Sequence, residues 1–83
     1  MKFIDEVLLK VKTYFPETKL IEPRVGAGWR LNIYYNGHYF IYRLDKYNYL
    51  EINNENRVDI IDLIASDVRE SVEQRYSMIG KEL

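Results

Sequence analysis

Side chains able to carry out catalysis are few in this chain. It has one histidine, His38, and no cysteine, and its three serines lie close together near the C-terminus, at Ser66, Ser71 and Ser77. Nucleophilic and acid–base catalysis both need a reactive group beside a second group that activates it. His38 follows an Asn-Gly pair typical of a turn, where a histidine is normally a surface residue. The sequence therefore predicts a protein that is not an enzyme and that uses no cofactor.

Two further patterns resemble ligand sites but lack the residues that such sites need. Asp59 and Asp62 are three positions apart and could share a cation, yet no histidine lies near them, so we expect a solvated helix face and no metal. Gly26 and Gly28 resemble a phosphate-binding loop, but no third glycine and no Lys-Ser or Lys-Thr pair follows. We predict an ordinary loop there.

The most informative stretch runs from Trp29 to Leu44, where two alternating, aromatic-rich segments meet at Asn36-Gly37. An Asn-Gly pair between such segments is the strongest short-range signal for a two-residue hairpin. This turn sets the register of the two strands. One face then carries the large apolar side chains, namely Trp29, Leu31, Ile33, Phe40, Tyr42 and Leu44.

The opposite face of this hairpin is unusual for a solvated sheet. Its predicted cross-strand pairs are Tyr34 with Tyr39, Asn32 with Ile41 and Arg30 with Arg43. Tyrosine and arginine are enriched at binding hot spots, and paired arginines repel unless an anion or an acid such as Glu51 lies between them. A second interpretation is that the tyrosines reflect strand propensity alone and that Glu51 neutralises the arginines.

The remaining periodicities complete an α+β fold of order α-β-β-β-α, with a three-stranded antiparallel sheet and two helices packed on one face. Helical spacing predicts a first helix over residues 2–14, and alternation predicts a third strand over residues 49–52. Residues 19–22 form a short extended segment that an extra strand could occupy. Asn56 and Asp59 approximate a capping box for a second helix, whose stripe ends at Gly80. That stripe is Val58, Ile61, Ile64, Val68, Val72, Tyr76 and Ile79.

Composition predicts a single globular domain spanning residues 1–83, located in the cytoplasm. The absence of cysteine disfavours a small secreted scaffold, and no apolar run approaches the roughly 20 residues that span a bilayer. Charge is uneven along the chain. Residues 19–50 contain five basic and two acidic side chains, a net charge of +3, whereas residues 51–83 contain four basic and eight acidic ones, a net charge of −4.

The order of elements resembles that of the double-stranded-RNA-binding domain, and residues 36–44, NGHYFIYRL, are similar to the histidine-containing turn before that family's second strand. That family holds phosphates with a lysine-rich start to its last helix. The corresponding residues here, 54–59, offer one arginine and two acids, so we do not expect RNA binding. In size, element order and acidic last helix, the chain also resembles small phage-encoded inhibitors such as anti-CRISPR proteins, which implies an inhibitor of a host protein.

These observations favour a small protein-binding module, with a regulator or inhibitor from a phage or mobile element as its most concrete form. The predicted partner-binding residues are Arg30, Tyr34, Tyr39, Arg43 and Tyr49 on the sheet, and Asp59, Asp62, Glu70 and Glu73 on the second helix. The alternatives are a nucleic-acid binder and a homodimer. In the first, Tyr34 and Tyr39 stack on bases while Arg24, Arg30, Arg43 and Lys46 contact phosphates, although the acidic helix opposes it. In the second, two sheets meet by face or by edge.

Overall fold

The computed structural model describes residues 2–80. Its elements are α1 (Phe3–Lys12), β1 (Thr18–Ile21), β2 (Arg30–Tyr35), β3 (His38–Arg43), a 3-10 turn (Asp45–Tyr47) and α2 (Arg57–Ile79). The three strands form one antiparallel sheet in the order β1-β2-β3. The predicted α-β-β-β-α class is therefore confirmed.

The hairpin between β2 and β3 has the predicted register at every paired position, from Arg30 opposite Arg43 to Tyr35 opposite His38. Its two turn residues have positive φ angles, 49° at Asn36 and 85° at Gly37. This combination is that of a type I′ turn, whose twist matches the right-handed twist of the flanking strands. The local sequence is sufficient to set this part of the fold.

The predicted third strand over residues 49–52 is wrong. After β3 the chain enters the 3-10 turn, and the Leu50 N–H donates to the Tyr47 carbonyl at 3.1 Å. Residues 49–52 therefore form a turn and irregular chain and not a strand. The third strand is instead β1, in which Lys19 pairs with Asn32 and Ile21 pairs with Arg30. Leu50 still packs against the core from outside the sheet.

Both helices pack on the apolar face of the sheet and close one core. Val7 and Val11 of α1 and Val68 and Val72 of α2 are almost completely buried there, together with Leu31 and Ile33 of the sheet. The stripe predicted for α2 is wrong at its start. Val58 is 66% exposed, whereas Ile60 is buried.

The predicted capping box is also wrong in its contacts. Asn56 is the N-cap residue of α2, but its side chain makes no cap hydrogen bond within the helix. Its Oδ1 instead accepts from the Asn53 N–H at 2.8 Å, and the Asn53 Oδ1 accepts from the Glu55 and Asn56 N–H groups. The side chains of Asn53 and Asn56 therefore stabilise the turn before α2, and Asn56 is not available to cap the helix.

Replacing Gly37 with alanine should lower the free energy of unfolding by about 1 to 2 kcal/mol, because a Cβ disfavours the positive φ of this turn position. A Cβ at Gly37 would meet nothing within 4 Å, so the cost is one of backbone conformation and not of packing. Urea denaturation measures it. Gly80→Ala is the matched control: it is equally uncrowded, has a φ of −75°, and should change stability by a few tenths of a kcal/mol.

Candidate interface on the open sheet face

One face of the sheet is not covered by either helix. Strand alternation and the pairing register place on it Lys19 and Ile21 of β1, Arg30, Asn32 and Tyr34 of β2, and Tyr39, Ile41 and Arg43 of β3. We call these eight residues the open face. They include four of the five residues predicted for the sheet surface, and β1 adds two that the sequence did not assign there.

An aromatic pair lies at one end of the open face. The rings of Tyr34 and Tyr39 have centroids 4.9 Å apart and are tilted by 57°. Tyr34 is 37% exposed and Tyr39 is 71% exposed, and Ile41 beside them is 41% exposed. Three large side chains thus present apolar surface to solvent at adjacent positions, which is the composition expected of a contact patch.

Two buried polar atoms on the same face make no hydrogen bond with any residue in the range 2–80. They are the Arg30 Nε, which is a donor, and the Asn32 Oδ1, which is an acceptor. Since nearly all buried polar atoms in folded proteins are hydrogen-bonded, such atoms call for an explanation. Both belong to β2 and point to the open face, two residues apart. Neither atom is accessible to solvent, so a partner group could reach them only after the two side chains change rotamer.

The open face carries positive charge. Arg30 lies directly opposite Arg43, and Lys19 pairs with the neighbouring position Asn32. The acid that relieves this repulsion is Asp45, whose Oδ2 accepts from the Arg43 Nη2 at 2.9 Å. The expectation that Glu51 would neutralise the two arginines is wrong, because Glu51 lies in the irregular segment after the 3-10 turn and not in a strand beside them.

A shallow depression of about 810 Å³ adjoins the aromatic pair. Its walls come from β1 and the residues before it as well as from β2 and β3: Lys12, Pro16, Glu17, Thr18, Lys19, Asn32, Tyr34 and Tyr39. The sequence did not reveal Lys12 and Lys19 as parts of this surface. Residues 19–22 were recognised as extended, but only their pairing with β2 brings Lys19 beside Asn32.

Two residues assigned to the surface from the sequence lie elsewhere. Tyr49 is 79% exposed but follows the 3-10 turn, so it is not part of the sheet. Lys46 places its Nζ 4.3 Å from the centroid of the Tyr42 ring, which belongs to the core side of the sheet. The role of Lys46 in a phosphate-binding surface is therefore not supported by its position.

The four acidic residues predicted as partner-binding on α2 are all exposed, and three of them have side-chain partners. Asp62 pairs with Lys10 of α1 at 3.5 Å, and Glu73 accepts from the Arg69 Nε at 3.2 Å. Glu70 accepts from the Gln74 side chain at 3.4 Å, and Asp59 is exposed. Several of these carboxylates already have partners, and α2 packs on the side of the sheet away from the open face.

Comparison with known protein families, with curated proteins and with solved structures finds no match to this chain. Within residues 2–80, no helix is long and apolar enough to cross a membrane. The same residues contain no group of three or more histidine or acidic side chains placed to hold a metal ion.

A cluster of three polar side chains, which the sequence did not reveal, connects the segment after β3 to α2. The Tyr47 hydroxyl donates to the Asp67 Oδ2 at 2.8 Å and lies 2.7 Å from the Tyr42 hydroxyl. Burial is the main cause that raises the pKa of Tyr47 above the ordinary 10.0, followed by its hydrogen bonds to Tyr42 and Asp67. Tyr47 is five residues from Tyr42 and twenty residues from Asp67 in the chain, so no local sequence pattern predicts this cluster. These hydrogen bonds attach the 3-10 turn, and with it the segment predicted as the third strand, to α2.

Replacing Tyr47 with phenylalanine should lower the free energy of unfolding at pH 7 by about 2 kcal/mol, because the change keeps the ring but removes a hydrogen bond to a carboxylate. The raised pKa of Tyr47 also sets a pH dependence. Its folded-state pKa exceeds the 10.0 of an unfolded tyrosine, so this stabilisation is complete below pH 10.0 and is lost as pH rises beyond it. Urea denaturation of both proteins from pH 7 to 11 should show the difference shrinking. A difference that stays constant or grows would contradict this role.

Proposed function

We propose that this chain is a non-enzymatic protein-binding module and that its partner docks on the open face. The observation that supports this most directly is the exposed Tyr34–Tyr39 pair, which lies beside the exposed Ile41 on a face that neither helix covers. A bound protein would cover both rings and the adjacent Ile41 side chain. Aromatic anchors surrounded by polar groups in this way are the usual centre of a protein interface.

The environment of the potentially reactive residues supports a non-enzymatic role. His38 and Ser77 line the same small depression, but the Ser77 Oγ donates to the Gln74 carbonyl of its own helix at 2.7 Å. The His38 ring lies 5.9 Å from the ring of Tyr76, which is not a group that orients a catalytic base. The role best matched to such a surface is regulation or inhibition of a partner, and a phage or mobile-element inhibitor of a host protein remains its most concrete form.

A nucleic-acid partner is the second candidate, and one observation favours it. The acidic residues of α2 lie across the sheet from the open face, so they oppose a polyanion less than the sequence alone implies. Against it, Arg43 is already paired with Asp45, and Glu17 lines the depression next to Lys12 and Lys19. Neutralised and mixed charges are less suited to a phosphate backbone than to a protein surface.

The test is affinity capture with the tagged chain from lysate, with and without nuclease, using wild type and three variants. Tyr39→Ala and Arg30→Ala alter the open face. Tyr49→Ala is the matched control, because it removes an equally exposed tyrosine from outside the sheet. We expect one protein to survive nuclease treatment and to be retained by wild type and Tyr49→Ala but not by Tyr39→Ala.

Two results would contradict the proposal. Capture that disappears with nuclease, and whose strength falls steeply with added salt, would assign the open face to nucleic acid. Capture of the same protein by all four chains would place the interface elsewhere, and the exposed carboxylates of α2 would then be the next candidates.

A further inference from the structure

Within residues 2–80, strand β3 is an outer strand of the sheet and pairs with β2 alone. In an antiparallel pair, alternate residues exchange hydrogen bonds with the neighbouring strand, and the residues between them direct their backbone groups away from it. The Leu44 N–H donates to the Trp29 carbonyl at 2.9 Å, so the bonded series continues through Tyr42 and Phe40. The backbone N–H and C=O groups of Tyr39, Ile41 and Arg43 therefore point outward along the edge.

Arg75 of α2 lies over the middle of this edge. The Arg75 Nη1 donates to the Ile41 carbonyl at 2.8 Å, and the Arg75 guanidinium lies 5.6 Å from the centroid of the Phe40 ring. Arg75 is exposed, and the two bonded residues are 34 positions apart in the chain. Natural proteins use charged side chains to keep exposed edges from pairing with other chains, and Arg75 is placed for that purpose.

We propose that the β3 edge is a pairing site for a second copy of this chain and that Arg75 closes it in the monomer. The second copy adds its own β3 antiparallel to the first, with Ile41 opposite Ile41 on a two-fold axis normal to the sheet. The carbonyl that Arg75 occupies is then at the centre of the new ladder. This inference concerns the strand edge and does not rest on the proposed function of the open face.

The register follows from self-complementarity, which a two-fold interface requires. With Ile41 on the axis, Tyr39 faces Arg43 of the second copy, a pairing of ring and cation, and no two like charges are opposed. All the outward backbone groups of Tyr39, Ile41 and Arg43 gain partners. A shift of the pairing by one residue would place the open-face side chains of the second copy on the opposite face of the combined sheet. Two open faces stacked on each other would instead bring Lys19, Arg30 and Arg43 of both copies together.

The first test is the molar mass in solution of Arg75→Met, which keeps an unbranched apolar side chain over Phe40 but removes the donor to Ile41. Light scattering after size exclusion should give the chain mass for wild type and twice that mass for the variant at the same concentration. Arg69→Met is the matched control, because Arg69 is an exposed α2 arginine that bonds Glu73 instead of the sheet, and it should stay monomeric. Circular dichroism reports whether each variant is folded.

A second test examines the register without depending on Arg75→Met alone. The natural chain has no cysteine, so Ile41→Cys introduces a unique thiol. Directly opposed residues of a bonded pair have Cα atoms about 5.5 Å apart, which suits a disulfide, whereas Tyr39→Cys would place its thiols on residues about 14 Å apart along the strands. Under mild oxidation, Ile41→Cys should crosslink far faster when combined with Arg75→Met or Arg75→Ala than with Arg75 intact.

The outcomes are decisive in both directions. A monomeric, folded Arg75→Met protein would overturn the proposal, as would equal crosslinking of Ile41→Cys with and without Arg75. Faster crosslinking through Tyr39→Cys than through Ile41→Cys would overturn the register. Adding Ile41→Lys to Arg75→Met should restore the monomer, because two lysines would then face each other on the axis.

Discussion

Removing either ring of the aromatic pair, by Tyr34→Ala or Tyr39→Ala, is expected to weaken binding to the captured partner by about 1 to 3 kcal/mol, or ~5- to ~150-fold. The reason is that each ring supplies a large contact area with few rotatable bonds. Tyr39 is 71% exposed, so its truncation should leave the fold intact. Isothermal titration calorimetry with the purified partner measures the affinity, and urea denaturation confirms unchanged stability.

The control for this prediction is Tyr49→Ala, which removes a tyrosine that is 79% exposed but lies outside the sheet. Its affinity should equal that of wild type within error. Because Tyr34 and Tyr39 contact each other, the double variant should cost less than the sum of the two single changes. Wild-type affinity in both single variants would remove the open face from consideration as the interface.

Replacing Ile33 with alanine is expected to lower the free energy of unfolding by about 3 to 4 kcal/mol, which is a large part of the total stability of a domain this small. Ile33 is completely buried in the central strand, between Thr18 of β1 and Phe40 of β3. The buried cluster to which it belongs contains side chains of both helices and of β2 and β3, which cannot all move to fill the cavity. Urea denaturation followed by circular dichroism measures the loss.

The same substitution on the other face of the sheet provides the comparison. Ile41 is 41% exposed on the open face, so Ile41→Ala should cost about 1 kcal/mol or less. The two variants remove the same atoms from adjacent strands and differ chiefly in which face they occupy. Equal costs would mean that the open face is buried in solution, as it would be in a face-to-face dimer.

The hairpin and its two faces could be predicted because their determinants are local. Asn36 and Gly37 favour the left-handed backbone of a two-residue turn, and the side-chain period of two then assigns each neighbouring residue to a face. The pairs Tyr34–Tyr39 and Arg30–Arg43 follow directly, and the structure has both. Four of the five predicted sheet-surface residues lie on the open face for this reason.

The helices were predictable in existence and order but less so in detail. Apolar spacing located α1 and α2, yet it placed Val58 in the core and overlooked Ile60, because two overlapping stripes fit the first turns of α2. Which stripe is buried depends on how α2 lies against α1, where Arg57 pairs with Glu6 and Lys10 with Asp62. Those contacts cross more than fifty residues of chain and leave no local pattern.

The sequence by itself determined the two helices, the β2–β3 hairpin with its register, and the part of the proposed interface that β2 and β3 contribute, since apolar periodicity, turn chemistry and alternation specify them. The α-β-β-β-α order was also predicted correctly, but with residues 49–52 as the third strand. Only the tertiary structure decided which segment is the third strand, because residues 18–21 and 49–52 have similar strand character. Residues 18–21 are the strand because they pair with β2. The hydrogen bonds of Tyr47 to Tyr42 and Asp67 hold the chain just before residues 49–52 against α2 in a non-strand conformation. That choice brings Lys19 onto the open face, and packing of α2 brings Arg75 to the β3 edge.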